Sequence, residues 1–139
     1  MKNITIAAAQ FEPRDADKKY NLAIIEELTA KAAELGADII SFHELSITAY
    51  TFLKDLDKAQ IRKLAERVPE GESTRKLKEL ATTYEITIMA GLVEIEDESV
   101  YNTYICVDST GLIAKHRKLH PFISPHLSPG NHYTVFDLM

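Results

Sequence analysis

Two residues of this chain have the type and placement to do chemistry together, Glu44 and Lys118. Glu44 follows the apolar run Ala37-Asp-Ile-Ile-Ser-Phe42, with only His43 between strand and carboxylate. A carboxylate delivered by the end of a buried strand lies where α/β folds place their chemistry, and glutamate is seldom buried without a partner or a task. Lys118 sits in His116-Arg-Lys-Leu-His120, where the chain leaves a hairpin. As a pair they suit a general base and a cationic oxyanion clamp. They suit equally a surface ion pair worth under ~1 kcal/mol. Spacing alone does not choose.

The other chemistry-bearing residues read more plainly. Cys106, in Tyr-Ile-Cys-Val-Asp, is mid-strand among apolar neighbours. It has no helix N-terminus or glycine turn to activate it, so it reads as a small hydrophobe. The histidines, His43, His116, His120, His126 and His132, have neither cysteine partners nor a helical H-E-x-x-H spacing. They read as solvated or hydrogen-bonded loop residues rather than metal ligands. No metal and no cofactor is expected.

The elements that must position these residues fit one domain, residues 1–139. Apolar residues make up 45% and charged residues 27%, an ordinary globular balance. A net charge of −5 without a basic stripe argues against nucleic acid. No apolar run approaches the roughly 20 residues of a membrane span. One cysteine and no signal-like leader point to a reducing, cytoplasmic setting.

In chain order, residues 4–9 read as a central strand and Asp17 as the cap of a helix whose apolar stripe is Leu22, Ile25, Leu28, Ala32 and Leu35. Gly36 closes the helix before the strand at 37–42, giving a β-α-β unit with parallel strands. Asp57 caps a helix over 58–68, and a further helix runs from Ser73 to Tyr84. Strands follow at 85–94, 100–108 and 112–117, the last two a hairpin. Residues 118–132 are irregular, and 133–138 read as a final strand. The class is α/β with a mixed sheet. The first βα loop, Gln10-Phe-Glu-Pro-Arg-Asp15, has no glycine to cradle phosphate, which argues against a nucleotide-binding module.

Four stretches, in order, resemble motifs of the carbon–nitrogen hydrolase (nitrilase) superfamily. Ile4-Thr-Ile-Ala-Ala-Ala-Gln10 resembles its opening strand, and Ser41-Phe-His-Glu-Leu-Ser-Ile-Thr-Ala-Tyr50 its glutamate motif, F-P-E-L-x-x-x-G-Y. Met89-Ala-Gly-Leu-Val-Glu94 with Tyr101-Asn-Thr103 is similar to its middle strand pair. Gly111 to His120 resembles its lysine motif, G-x-x-x-x-x-Y-R-K-x-H, and Ser128-Pro-Gly130 the x-P-G that follows.

The resemblance implies the N-terminal half of an α-β-β-α sandwich with mixed sheets. It also implies a hydrolase for non-peptide C–N bonds in a small amide, carbamoyl or nitrile substrate. Glu44 would be general base and Lys118 oxyanion stabiliser, with a cysteine nucleophile expected beyond Met139. Tyr50, Phe122 and His126 are its candidate substrate contacts, although core packing explains aromatic residues as well. His43 and Ala49 replace the usual Pro and Gly, and His126 is a candidate for the role of a supporting glutamate absent between Lys118 and Gly130. A truncated hydrolase, homo-oligomeric as the family usually is, is the leading expectation. The other is a catalytically silent chain that self-associates or binds a partner.

Overall fold

The computed structural model describes residues 3–138. It is an α/β fold with one five-stranded mixed sheet in the order β1-β2-β3-β4-β5. The strands are β1 (Ile6–Ala9), β2 (Ile39–Phe42), β3 (Thr87–Glu96), β4 (Ser99–Asp108) and β5 (Gly111–Arg117). The expected parallel β-α-β is present: β1 pairs with β2, and β2 with β3, in parallel. β3, β4 and β5 form an antiparallel meander.

Helices α1 (Lys18–Glu34) and α3 (Glu72–Tyr84) cover one face. That face buries Ile40, Phe42, Ile88, Ala90, Leu92, Ile105 and Val107 against Ile25, Leu77 and Leu80. A second cluster lies on the opposite face, where α2 (Lys58–Leu64) and the short 3-10 helix Thr51–Asp55 bring Ile61, Leu64 and Leu53 onto Leu45, Val93 and Val100.

The caps are those the sequence suggests. Asp17 accepts from the Tyr20 amide at 3.0 Å, and Asp57 exchanges capping-box hydrogen bonds with Gln60. Other expectations fail, each for a physical reason. β1 is an edge strand rather than a central one: it pairs only with β2 among the described residues, and Ile6 is 63% exposed.

On α1 the expected Leu22, Ile25, Leu28 and Ala32 do pack on the core, but Asn21 and Thr29 are buried with them and Leu35 is exposed. Asn21 turns inward because its side chain is satisfied there. It donates to the Arg14 and Ile47 carbonyls, each at 2.9 Å, and accepts from the Arg14 amide. α2 stops at Leu64 rather than 68, because Glu66 leaves the helix to exchange backbone hydrogen bonds with Val93 and Ile95. Residues 133–138 form no strand. Thr134 and Phe136 turn toward β4 and β5, and Tyr133 and Val135 face outward. No helix among the described residues is long and apolar enough to cross a membrane.

Candidate active site

Side chains alternate across a strand, and that alternation builds the site. On β3 and β4, Met89, Gly91 and Val93 stand opposite Cys106, Tyr104 and Asn102. These residues lie on the face away from α1 and α3. The segment after β2, carrying Glu44, folds over this face and is held by the Ile47 amide donating to the Gly91 carbonyl at 2.9 Å. Gly91 is required for that approach: a Cβ there would overlap the Leu45 amide nitrogen and crowd Glu44. Leu45 (φ 51°) and Ala49 (φ 71°) take left-handed backbone in the same segment. Ala49 is the position where the resembled motif has glycine, and its conformation explains that preference.

Lys118 is placed by the end of the β4–β5 ladder. Its amide donates to the Asn102 carbonyl at 2.8 Å, and its own carbonyl accepts from Gly130 at 2.9 Å. Gly130 passes so close to Arg117 that a side chain would strike its carbonyl. The Ser128-Pro-Gly130 motif thus clamps the lysine loop.

The two residues singled out from the sequence meet. Lys118 Nζ lies 2.6 Å from Glu44 Oε1, with side chains 34% and 45% exposed. Asn102 Nδ2 donates to the same oxygen at 2.5 Å. Both donors converge on Oε1, and Oε2 has no hydrogen-bond partner among the described residues. Tyr50 and Phe122 stand beside the ammonium, with ring centroids 5.8 Å and 6.0 Å from Nζ. Burial pushes the Tyr50 phenol up, with Lys118 opposing.

The cleft of about 450 Å³ at the pair is lined by Ser41, Phe42, Glu44, Asn102, Tyr104, His116 and Lys118. None of the expected substrate contacts, Tyr50, Phe122 and His126, is among them; the His126 amide donates to Ser124 Oγ nearby in the chain. Sequence reasoning gave no role to Asn102, Tyr104, Ser41 or His116. A polar Asn inside the strand Ser99–Asp108, where such residues are disfavoured, is the signal that was available for the first.

Cys106 is on this face but not at the pair. It lies four residues along β4 from Asn102, roughly 13 Å at the strand rise. It is 2% exposed, and burial pushes its thiol up to about 11. No cluster of three or more candidate metal ligands occurs among the described residues. A larger groove of about 720 Å³ between α1 and α3 contains the Lys18–Glu66 and Lys76–Glu26 pairs.

His43 points away from the cleft and packs edge-on against Phe11 at 5.1 Å. Neither ring nitrogen has a partner among the described residues, contrary to the expectation of a solvated or bonded histidine. Burial lowers its pKa, favouring the neutral ring.

A sequence profile of the carbon-nitrogen hydrolase family matches residues 5–138. The chain belongs to the carbon-nitrogen hydrolase family. It is 32% identical over 140 residues to a nitrilase of Pyrococcus abyssi, covering 97% of this chain and 52% of that protein. An omega-amidase of Mus musculus is 35% identical over 135 residues, covering 86% of this chain and 46% of the mouse protein. In structure it is similar to a mutant of the amidase from Nesterenkonia sp. AN1 in complex with butyramide. The TM-score is 0.73 at 22% identity, over 93% of this chain and 49% of the amidase. The chain spans about half the length of these relatives.

Proposed function

We propose that residues 3–138 carry the acid–base and oxyanion part of a hydrolase site for small amides or nitriles. Glu44 acts as general base and Lys118 as oxyanion clamp. The observation that carries this reading is the convergence of Lys118 and Asn102 on one oxygen of Glu44, which leaves the other oxygen open at a cleft. Contact through one oxygen is common to the exposed pairs Arg62–Glu98 and Lys76–Glu26; what sets this pair apart is the Asn102 amide sharing Oε1 and its place at the cleft.

The nucleophile is a cysteine outside these residues, because Cys106 is buried, far along β4 and held as a thiol. Glu44 Oε2 takes the thiol proton as sulfur bonds to the amide carbon. The carbonyl π electrons move onto oxygen beside the Lys118 ammonium. The intermediate collapses as the C–N bond breaks, and Glu44 returns the proton to the departing ammonia. Water then attacks the thioester, giving up its proton to Glu44. The thiolate leaves, is reprotonated, and the acid is released.

Relatives support the class: one is named an amidase, and its structures include one with the acetamide moiety of fluoroacetamide added at its active site cysteine. The test is ammonia release from butyramide and a short aliphatic nitrile by the protein expressed in full from its own gene. Glu44→Gln and Lys118→Met are expected to lower the rate by about 10²–10⁴, and Cys106→Ala to leave it unchanged. A rate that survives Glu44→Gln, or that vanishes with Cys106→Ala, contradicts the assignment.

A further inference from the structure

On the roles just proposed for Glu44 and Lys118, we infer that Asn102 is a positioning residue that divides the labour of the glutamate's two oxygens. Its side chain and Lys118 both donate to Oε1, at 2.5 Å and 2.6 Å. Oε1 is thereby fixed as the anchored oxygen and Oε2 as the one that exchanges protons. The same residue places the second catalytic group, because the Asn102 carbonyl accepts from the Lys118 amide at 2.8 Å.

Asn102 is itself rigid. It is 5% exposed and sits in the β4 ladder opposite Val93. An asparagine suits this task and an aspartate does not: the amide donates, whereas an ionised carboxylate only accepts and would repel Glu44. Loss of the anchor lets the carboxylate rotate between its two oxygens, and displacements of about 1 Å at a reacting group cost on the order of 10²-fold in rate.

The experiment compares wild type, Asn102→Ala and Asn102→Asp in the protein expressed in full, with butyramide as probe and ammonia release as readout across pH. The other titratable groups facing position 102 are Glu44 on the loop after β2, Tyr104 on β4, His116 on β5 and Lys118 beyond it. They are common to every variant, so a pH dependence that differs between Asn102→Asp and wild type arises from the introduced carboxyl and its coupling to Glu44.

Asn102→Ala is expected to lower kcat about 30-fold with KM held within about threefold. Asn102→Asp, nearly isosteric, guards against a mere folding defect. Its kcat relative to wild type is expected to rise as pH falls toward the carboxylate range, where a protonated Asp regains a donor. A kcat for Asn102→Ala within about threefold of wild type, or a flat pH dependence of the Asp-to-wild-type ratio, overturns the inference. Activity that is absent in wild type or indifferent to Glu44→Gln overturns the functional reading itself, whatever Asn102 does.

Discussion

Two carboxylates sit on opposite faces of the same pair of strands, and their surroundings differ in one decisive respect. Glu94 is buried on the helix face, 1% exposed, with both oxygens saturated. Oε1 accepts from Thr103 at 2.7 Å and Arg117 Nε at 2.8 Å, and Oε2 from Lys115 at 2.5 Å and Arg117 Nη2 at 2.9 Å. Glu44 is half-exposed on the other face and engaged through one oxygen only. Their partners are sequence neighbours: Thr103 next to Asn102, Arg117 next to Lys118. The pleat sends one of each pair to either face. Saturation with burial makes Glu94 part of a structural ion cluster, whereas Glu44 keeps an open oxygen at a cleft, as the base role proposed for it requires.

The largest effects should fall on the saturated side. Arg117→Met removes two hydrogen bonds from a buried anion and should destabilise by about 3 kcal/mol. Lys118→Met, which breaks a half-exposed pair, should change stability by less than about 1 kcal/mol. Thermal unfolding of both variants checks this. Gly91→Ala should come next, at about 2 kcal/mol from overpacking, with loss of the site because the Glu44 segment is lifted from β3. A chemical-shift map would show the change concentrated in residues 43–50.

Acid should act on the carboxylates richest in donors. Burial alone would raise Glu94 and Glu66, but donors more than offset it. Those donors are Arg117, Lys115 and Thr103 for Glu94, and Ser73 and Lys18 for Glu66, so both carboxyls lie below the usual 4.5. A depressed folded pKa means the unfolded state binds more protons. The stability is therefore present above 4.5 and lost as pH falls through the lowered folded values.

His43 acts earlier, by the same sign. Its neutral ring contributes fully above 6.5 and its stabilisation fades as pH drops below that value. Urea midpoints measured against pH should show both stages, and His43→Phe should flatten the first alone. The smallest effect is a gain: Ala49→Gly should relieve left-handed strain and stabilise by about 0.5–1 kcal/mol, read as a rise in melting temperature.

Much of this was legible in the sequence. The parallel β-α-β, the caps at Asp17 and Asp57 and the β4–β5 hairpin follow from local patterns, and local hydrogen bonds and turns satisfy them. Glu44 and Lys118 were visible as strand-end residues, and the likeness to family motifs turned that into a pairing across 74 positions. What escaped depends on the third dimension. Asn102 looks like any strand residue until the Glu44 loop folds onto its face. Asn21 joins the inward side of α1 because its amide finds the Arg14 and Ile47 backbone, and Leu35, past the last helical residue, stays exposed. Residues 4–9 have the small, two-sided pattern of a central strand, yet among the described residues β1 pairs on one side only. Residues 133–138 alternate like a strand without a ladder to join.

The most direct test of the contrast between the two carboxylates is equilibrium urea unfolding of Glu44→Gln and Glu94→Gln at neutral pH. Glu94→Gln should lose about 3 kcal/mol, having left two cations beside an uncharged partner. Glu44→Gln should lose less than about 1 kcal/mol, its pair being half in water. Equal losses, or a larger loss at Glu44, would mean that both carboxylates serve the fold and that the open oxygen has no special standing.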